Sequence, residues 1–158
     1  FKIKDDHIKE SITKIRSEAR LQYITEGKLR NFVAPNNQIL LDGAHNLMAA
    51  VAAEKFLGTL NSKRKIVMLI GMMSNKDHKK FIEVFKNKVH SIIALDIPNQ
   101  INFVEKEKLV KIAESFGISS KTGSSIKTAL KSASKQSEDA IIFCTGSLYF
   151  CGEILNLN

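Results

Sequence analysis

Four short segments of this chain are almost continuously apolar, and each is followed by a stretch of helical period; few folds accommodate that alternation. The segments are 38–41 (Gln-Ile-Leu-Leu), 66–70 (Ile-Val-Met-Leu-Ile), 91–95 (Ser-Ile-Ile-Ala-Leu) and 140–143 (Ala-Ile-Ile-Phe). A strand with one wet face alternates apolar and polar residues, whereas a strand covered on both faces does not. The intervening stretches have strong helix formers at a 3.6-residue period. Residues 47–57 carry an expected apolar face at Met48, Ala52 and Phe56, and residues 78–89 one at Phe81, Ile82, Phe85 and Val89. Residues 104–116 align Leu109, Ala113 and Phe116, with Gly117 as a C′ stop. Ser124 is the expected cap of a helix bearing Ile126, Ala129, Leu130 and Ala133, and residues 147–155 form a last helix. Leu21-Gln-Tyr-Ile reads as a short strand and Ile118-Ser-Ser as an edge strand. The pattern predicts an α/β, Rossmann-like three-layer domain: a mostly parallel sheet covered by helices on both faces.

The chain's 158 residues fit one such domain. Residues 1–18 read as a lead-in: an amphipathic helix over 3–15 with Ile3, Ile8, Ile12 and Ile15 on one face and Asp5 and Asp6 at its start, then a linker. The domain proper is expected over 19–158. The chain opens on Phe1 rather than Met, which reads as a piece of a longer protein. Cys144 and Cys151 lack the spacing of a zinc site or a disulfide framework, and are expected to be reduced thiols of a cytoplasmic protein. No apolar run approaches the ~18 residues of a membrane span. The net charge of +8 fits attraction to an anionic ligand such as ATP or a polyglutamate tail, or simply solvated lysine-rich helix faces. The lysines are scattered, with few aromatics among them, so no nucleic-acid footprint is expected.

Open α/β sheets bind ligands outside the carboxyl ends of their strands. Glycines and small polar residues cluster where those ends fall: Asp42-Gly-Ala-His-Asn, Gly71-Met-Met-Ser-Asn-Lys-Asp, Asp96, and Cys144-Thr-Gly-Ser. Asp42 can accept hydrogen bonds from a ribose diol or hold a cation, or merely satisfy the backbone of a tight turn. Asn46 can cap the following helix, whose free N–H groups suit an anion. Asp77 is placed to cap the helix at 78, and Ser147, after Gly146, to open the last one. His45, taken alone, reads as a half-buried histidine hydrogen-bonded to a loop rather than as a catalytic residue. The chain contains no G-x-x-x-x-G-K-[ST], no G-x-G-x-x-G, no G-x-S-x-G and no HExxH, hence no complete catalytic apparatus.

Four segments in register resemble one family. Leu40-Leu-Asp-Gly-Ala-His-Asn before an Ala-rich helix resembles the C-terminal domain of folylpolyglutamate/dihydrofolate synthases, within the Mur ligase superfamily. Ala19-Arg-Leu-Gln resembles their Gly-Arg-(Phe/Leu)-Gln/Glu, Gly71-Met-Met-Ser-Asn-Lys-Asp their Gly-x-Leu-x-x-Lys-Asp, and Gly146-Ser-Leu-Tyr their closing Gly-Ser-(Leu/Phe)-Tyr. The resemblance implies an ATP-dependent ligase adding L-glutamate to dihydropteroate or to (poly)glutamylated folate through an acyl phosphate. It implies ATP and Mg²⁺, with the P-loop and metal ligands in an N-terminal partner domain, no metal ligand here, and a monomer. It assigns Arg20, Asp42 and Asn46 to ATP, makes His45 the catalytic residue near the phosphates and the incoming glutamate, and assigns Ser147, Lys76 and Asp77 to substrate. Departures are Ser17-Glu18 where the family has Trp-Pro, a longer stretch from Arg20 to Asp42, and Leu47 where Pro is common. The first of these leaves Arg30 as the alternative ATP-contacting arginine. Without its partner domain the chain is expected to be inactive. The alternatives are a stand-alone non-catalytic nucleotide-binding module or inactive fragment, and a peptidoglycan Mur ligase domain, disfavoured because such domains read Asp-Tyr-Ala-His.

Overall fold

A computed structural model describes residues 17–60 and 63–158. The helix expected over 3–15, and with it most of the 1–18 lead-in, lies outside the described residues. Among those residues the chain forms strands β1 (Gln22–Ile24), β2 (Gln38–Leu41), β3 (Ile66–Ile70), β4 (Ser91–Ala94), β5 (Ser120–Thr122) and β6 (Ile141–Thr145). The helices are α1 (Leu47–Thr59), α2 (His78–Glu83), α3 (Lys106–Ser115), α4 (Ile126–Ser134) and α5 (Leu148–Leu155), with a 3-10 turn at Lys28–Phe32.

The strands build one sheet in the order β1-β2-β6-β3-β4-β5, parallel throughout except for the antiparallel β1–β2 pair. All five residues of β3 and of β6 are buried, as continuous apolar runs require. Alternate residues of each strand serve opposite layers. On one face Met68, Ile92 and Phe143 meet Ala50 and Leu57 of α1, Phe81 and Phe85 of the α2 region, and Leu109 of α3. On the other, Leu69, Ile93 and Ile142 meet Leu130 of α4, Phe150 and Ile154 of α5, and Leu29. The expected three-layer α/β architecture is present.

The order of winding places the site. From β2 to β5 the chain moves one way across the sheet with α1, α2 and α3 on one face. It then returns through α4, on the other face, to insert β6 between β2 and β3. Right-handed crossovers require that change of face when the winding reverses. Consequently α1 leaves β2 toward one layer while α5 leaves neighbouring β6 toward the other, which opens a crevice at their carboxyl ends.

Four local expectations need correction. Helix α1 buries Ala50, Ala53 and Leu57; of the expected face Phe56 is half-buried against the core, while Ala52 is exposed and Met48 is 84% exposed. Leu47–Leu57 is apolar almost all round, so periodicity could not select its inner face. Helix α2 ends at Glu83, and the rest of 78–89 continues as turns that still bury Phe85 and Val89. The edge strand is 120–122 rather than 118–120, because Ile118 turns inward beneath α3 and pairing with β4 begins only at Ser120. Ser125, not Ser124, caps α4; its hydroxyl accepts from Thr128 N while Thr128 Oγ1 accepts from Ser125 N, a reciprocal capping box.

Candidate nucleotide cleft

The β2–α1 turn is built around Asp42, which is 8% exposed. Its Oδ1 accepts the Ala44 N–H at 2.9 Å and its Oδ2 the Leu21 N–H at 2.9 Å. The first bond folds the turn and the second pulls the segment before β1 against it. Both carboxylate oxygens therefore already serve the backbone, and each retains a lone pair for a ligand.

The segment held there is unusual. Ala19 and Leu21, on either side of Arg20, both lie in the left-handed region, with φ of 52° and 48°. Such conformations cost a non-glycine residue of order 1–3 kcal/mol and persist only where surroundings over-determine them. Three bonds do so here besides that of Asp42. Ala19 N donates to Gln22 Oε1 at 2.9 Å, Gly43 N donates to Ala19 O at 2.8 Å, and Arg20 Nη1 reaches the same carbonyl at 3.4 Å. A Cβ on Gly43 would lie 2.9 Å from Arg20 Nη1 and would run into Leu148, so glycine is what lets the arginine lie over the turn.

His45 is half-buried, its Nδ1 2.9 Å from Gly43 O. A carbonyl only accepts, so Nδ1 carries the proton and in the neutral ring Nε2 keeps its lone pair. Asn46 caps α1, its side chain accepting Ala49 N at 2.9 Å, which leaves earlier N–H groups of the helix open to an anion. Arg20, Leu21, Asp42, Gly43, Ala44, His45, Asn46 and Ala49 line a cleft of about 320 Å³. Four of the predicted site residues, Arg20, Asp42, His45 and Asn46, thus meet in one place.

Strand β6 closes the floor. Gly146 N donates to Ala44 O at 3.0 Å, and Gly71 N to Thr145 O at 3.3 Å, knitting the ends of β2, β6 and β3 together. Gly146 has φ 107°, and a Cβ there would lie 2.7 Å from Gly71 O. Ser147, 2% exposed, caps α5 by accepting Tyr149 N at 3.1 Å. It sits beside the cleft with its hydroxyl engaged. Lys76 and Asp77 lie on the next loop, outside the cleft lining. Asp77 caps α2 through Lys80 N at 3.1 Å and pairs with Lys80 Nζ at 3.2 Å, and these contacts hold its carboxyl below the usual range. Arg30 is elsewhere: it donates to Asn37 O at 2.8 Å and Pro35 O at 2.9 Å, near the amino end of β2. Of the two arginines, Arg20 is the one in the cleft. Among the described residues no three or more His, Cys, Asp or Glu group together as a metal site, and no helix is long and apolar enough to cross a membrane.

Two features were not anticipated. One is the left-handed pair around Arg20 with Gln22 holding it; the only signal was a glutamine three residues beyond Ala19. The other is the partner of Asp96, expected only as a strand-end residue: it accepts Lys106 N at 3.0 Å at the start of α3 and pairs with Lys106 Nζ at 3.1 Å.

The family model described as dihydrofolate synthetase, C-terminal domain, matches residues 25–157. The chain belongs to that family. The chain is 30% identical, over 99% of its length, to the dihydrofolate synthase/folylpolyglutamate synthase of Buchnera aphidicola, and spans 36% of that protein. Its fold superposes on a Mycobacterium tuberculosis folylpolyglutamate synthase complexed with ADP (TM-score 0.82, 20% identity, 98% of this chain, 35% of that one). It also superposes on a Yersinia pestis bifunctional folylpolyglutamate synthase/dihydrofolate synthase complexed with AMPPNP and a manganese ion (TM-score 0.76, 16% identity, 99% of this chain, 35% of that one). The chain thus spans about a third of the relatives it matches.

Proposed function

We propose that this domain is the ATP- and glutamate-side half of a ligase that joins L-glutamate to dihydropteroate or to (poly)glutamylated folate, acting with a P-loop domain of the same polypeptide. The observation that carries the reading is the meeting of Arg20, His45 and the Asn46-capped start of α1 around one cleft at the β2–β6 crevice. Family membership supports the reaction class, and the nucleotides bound by the two structural relatives support ATP as the ligand. The domain itself begins at Ala19 in this reading, and the protein works as a cytoplasmic monomer.

In the reaction the acceptor carboxylate attacks the γ-phosphorus of ATP, forming an acyl phosphate and releasing ADP. The amine of L-glutamate then attacks the acyl carbon, and phosphate leaves as the amide forms. Negative charge develops in both steps, so preorganised cationic and N–H donors are what catalysis requires. Arg20 and the open N–H groups of α1 supply them. His45 Nε2, its tautomer fixed by Gly43 O, can take the proton that the attacking amine loses. Asp42 holds the turn together and offers its remaining lone pairs to the nucleotide, while Ser147 sits on the glutamate side. The divalent ion, Mg²⁺ in this reading, would be held by residues of the partner domain and would offset the charge that develops on the phosphates.

The surface around the cleft fits a closing partner. Leu47 and Met48 in the first turn of α1, and Leu148 and Tyr149 in the first turn of α5, are exposed apolar side chains on one edge. Exposed apolar residues gathered around a polar site mark an interaction surface. The test is glutamate-dependent phosphate release from Mg·ATP by the full-length polypeptide, with dihydropteroate or folate as acceptor. Arg20→Ala and His45→Ala are expected to lower the rate at least about a hundredfold, as loss of a charge-stabilising or proton-transferring group does. Release that ignores glutamate, or that survives both substitutions, would contradict the proposal.

A further inference from the structure

We infer that Gln22 is a positioning residue for Arg20, holding the left-handed turn from which the guanidinium reaches the cleft. The inference rests on the reading of Arg20 as a nucleotide contact. Ala19 and Leu21 both adopt φ near 50°, a conformation an alanine or leucine leaves when its anchors are removed. Each is tied at its amide. Leu21 N is taken by Asp42, which the β2–α1 turn needs for its own closure, and Ala19 N is taken by Gln22 Oε1 at 2.9 Å. The Gln22 bond has no second duty within the turn: its backbone is fixed independently by β1, where Gln22 pairs with Leu41. Strand β1 thereby becomes a fixed post from which a side chain reaches back three residues. Because the contact uses only an acceptor oxygen, a glutamate at 22 satisfies it and a methionine of similar length does not.

The experiment titrates Mg·ATP into this chain and into Gln22→Met, Gln22→Glu, Arg20→Ala and the Gln22→Met/Arg20→Ala double variant, with NMR reading the backbone of residues 19–21. Arg20→Ala should weaken binding about tenfold, the size expected for one charge-assisted hydrogen bond. Gln22→Met should weaken it roughly three- to tenfold, add nothing in the Arg20→Ala background, and lose the strong intraresidue amide–Hα NOE of a left-handed Ala19. Gln22→Glu should restore both. Equal losses from Gln22→Met with and without Arg20 would overturn the inference, as would an Ala19 that stays left-handed in Gln22→Met. If Arg20→Ala itself changes nothing, the nucleotide role of Arg20 fails, and the Ala19 NOE still decides whether Gln22 holds the turn.

Discussion

Asp42 and Leu21, twenty-one residues apart, are joined by a 2.9 Å bond from the Leu21 amide to Asp42 Oδ2. With the second bond from Ala44, this carboxylate organises both walls of the cleft before any ligand arrives. An amide can replace only one of its two acceptor oxygens. Asp42→Asn should therefore cost about 1–3 kcal/mol, and Asp42→Ala, which strands both amides, about 2–5 kcal/mol. Urea unfolding of the three proteins checks this. Equal stabilities would mean that Asp42 faces the ligand rather than the backbone.

Ala19 occupies a conformation that glycine adopts freely. A left-handed alanine costs about 1–2 kcal/mol, and the extra unfolded-state freedom of glycine returns about 0.4–1 kcal/mol of that. Ala19→Gly should raise stability by about 0.5–1 kcal/mol, seen as a higher urea midpoint at unchanged slope.

Gly146 presents the opposite case, with φ 107° and a close carbonyl neighbour in Gly71. Gly146→Ala should destabilise by about 1–3 kcal/mol and shift the amides of Gly71 and Ala44. Unchanged stability would show that the β6–β3 junction has slack.

The carboxyl-end cleft was legible because strand burial and crossover handedness together fix where the crevice opens; Asp42, His45 and Asn46, which line it, followed from one strand end. The sheet was legible because Ile66–Ile70 and Ile141–Phe143 have no polar residue to face water. Where every face looks alike, as on α1, periodicity had nothing to distinguish Ala50 and Ala53 from Met48 and Ala52. With two adjacent serines, the expected cap of α4 fell on Ser124, one residue early; the Thr128 side chain decides for Ser125. The turn around Arg20 left only the glutamine at 22 as a signal, since its backbone is imposed by Gly43, Asp42 and Gln22 against local preference.

Alkaline stability follows from the thiols behind the cleft. Burial, assisted by the nearby Asp42 charge, pushes Cys151 from an ordinary value of 9.0 up to about 12, and burial raises Cys144 as well. The folded pKa exceeds the unfolded one, so the stability is fully present below pH 9.0 and falls as pH rises toward about 12, where the unfolded thiolates gain. Urea midpoints should decline above pH 9.0, and less steeply in Cys151→Ala. A flat profile would show that the thiols ionise in the fold as easily as outside it.

The most direct test of the central claim is an NMR titration of Mg·ATP into this chain and its Arg20→Ala variant. The account predicts shifts centred on the amides of Gly43, His45, Leu47 and Gly146, much reduced without Arg20. Shifts centred instead on Asn37 and Ser137, at the amino end of the sheet, and indifferent to Arg20, would contradict it.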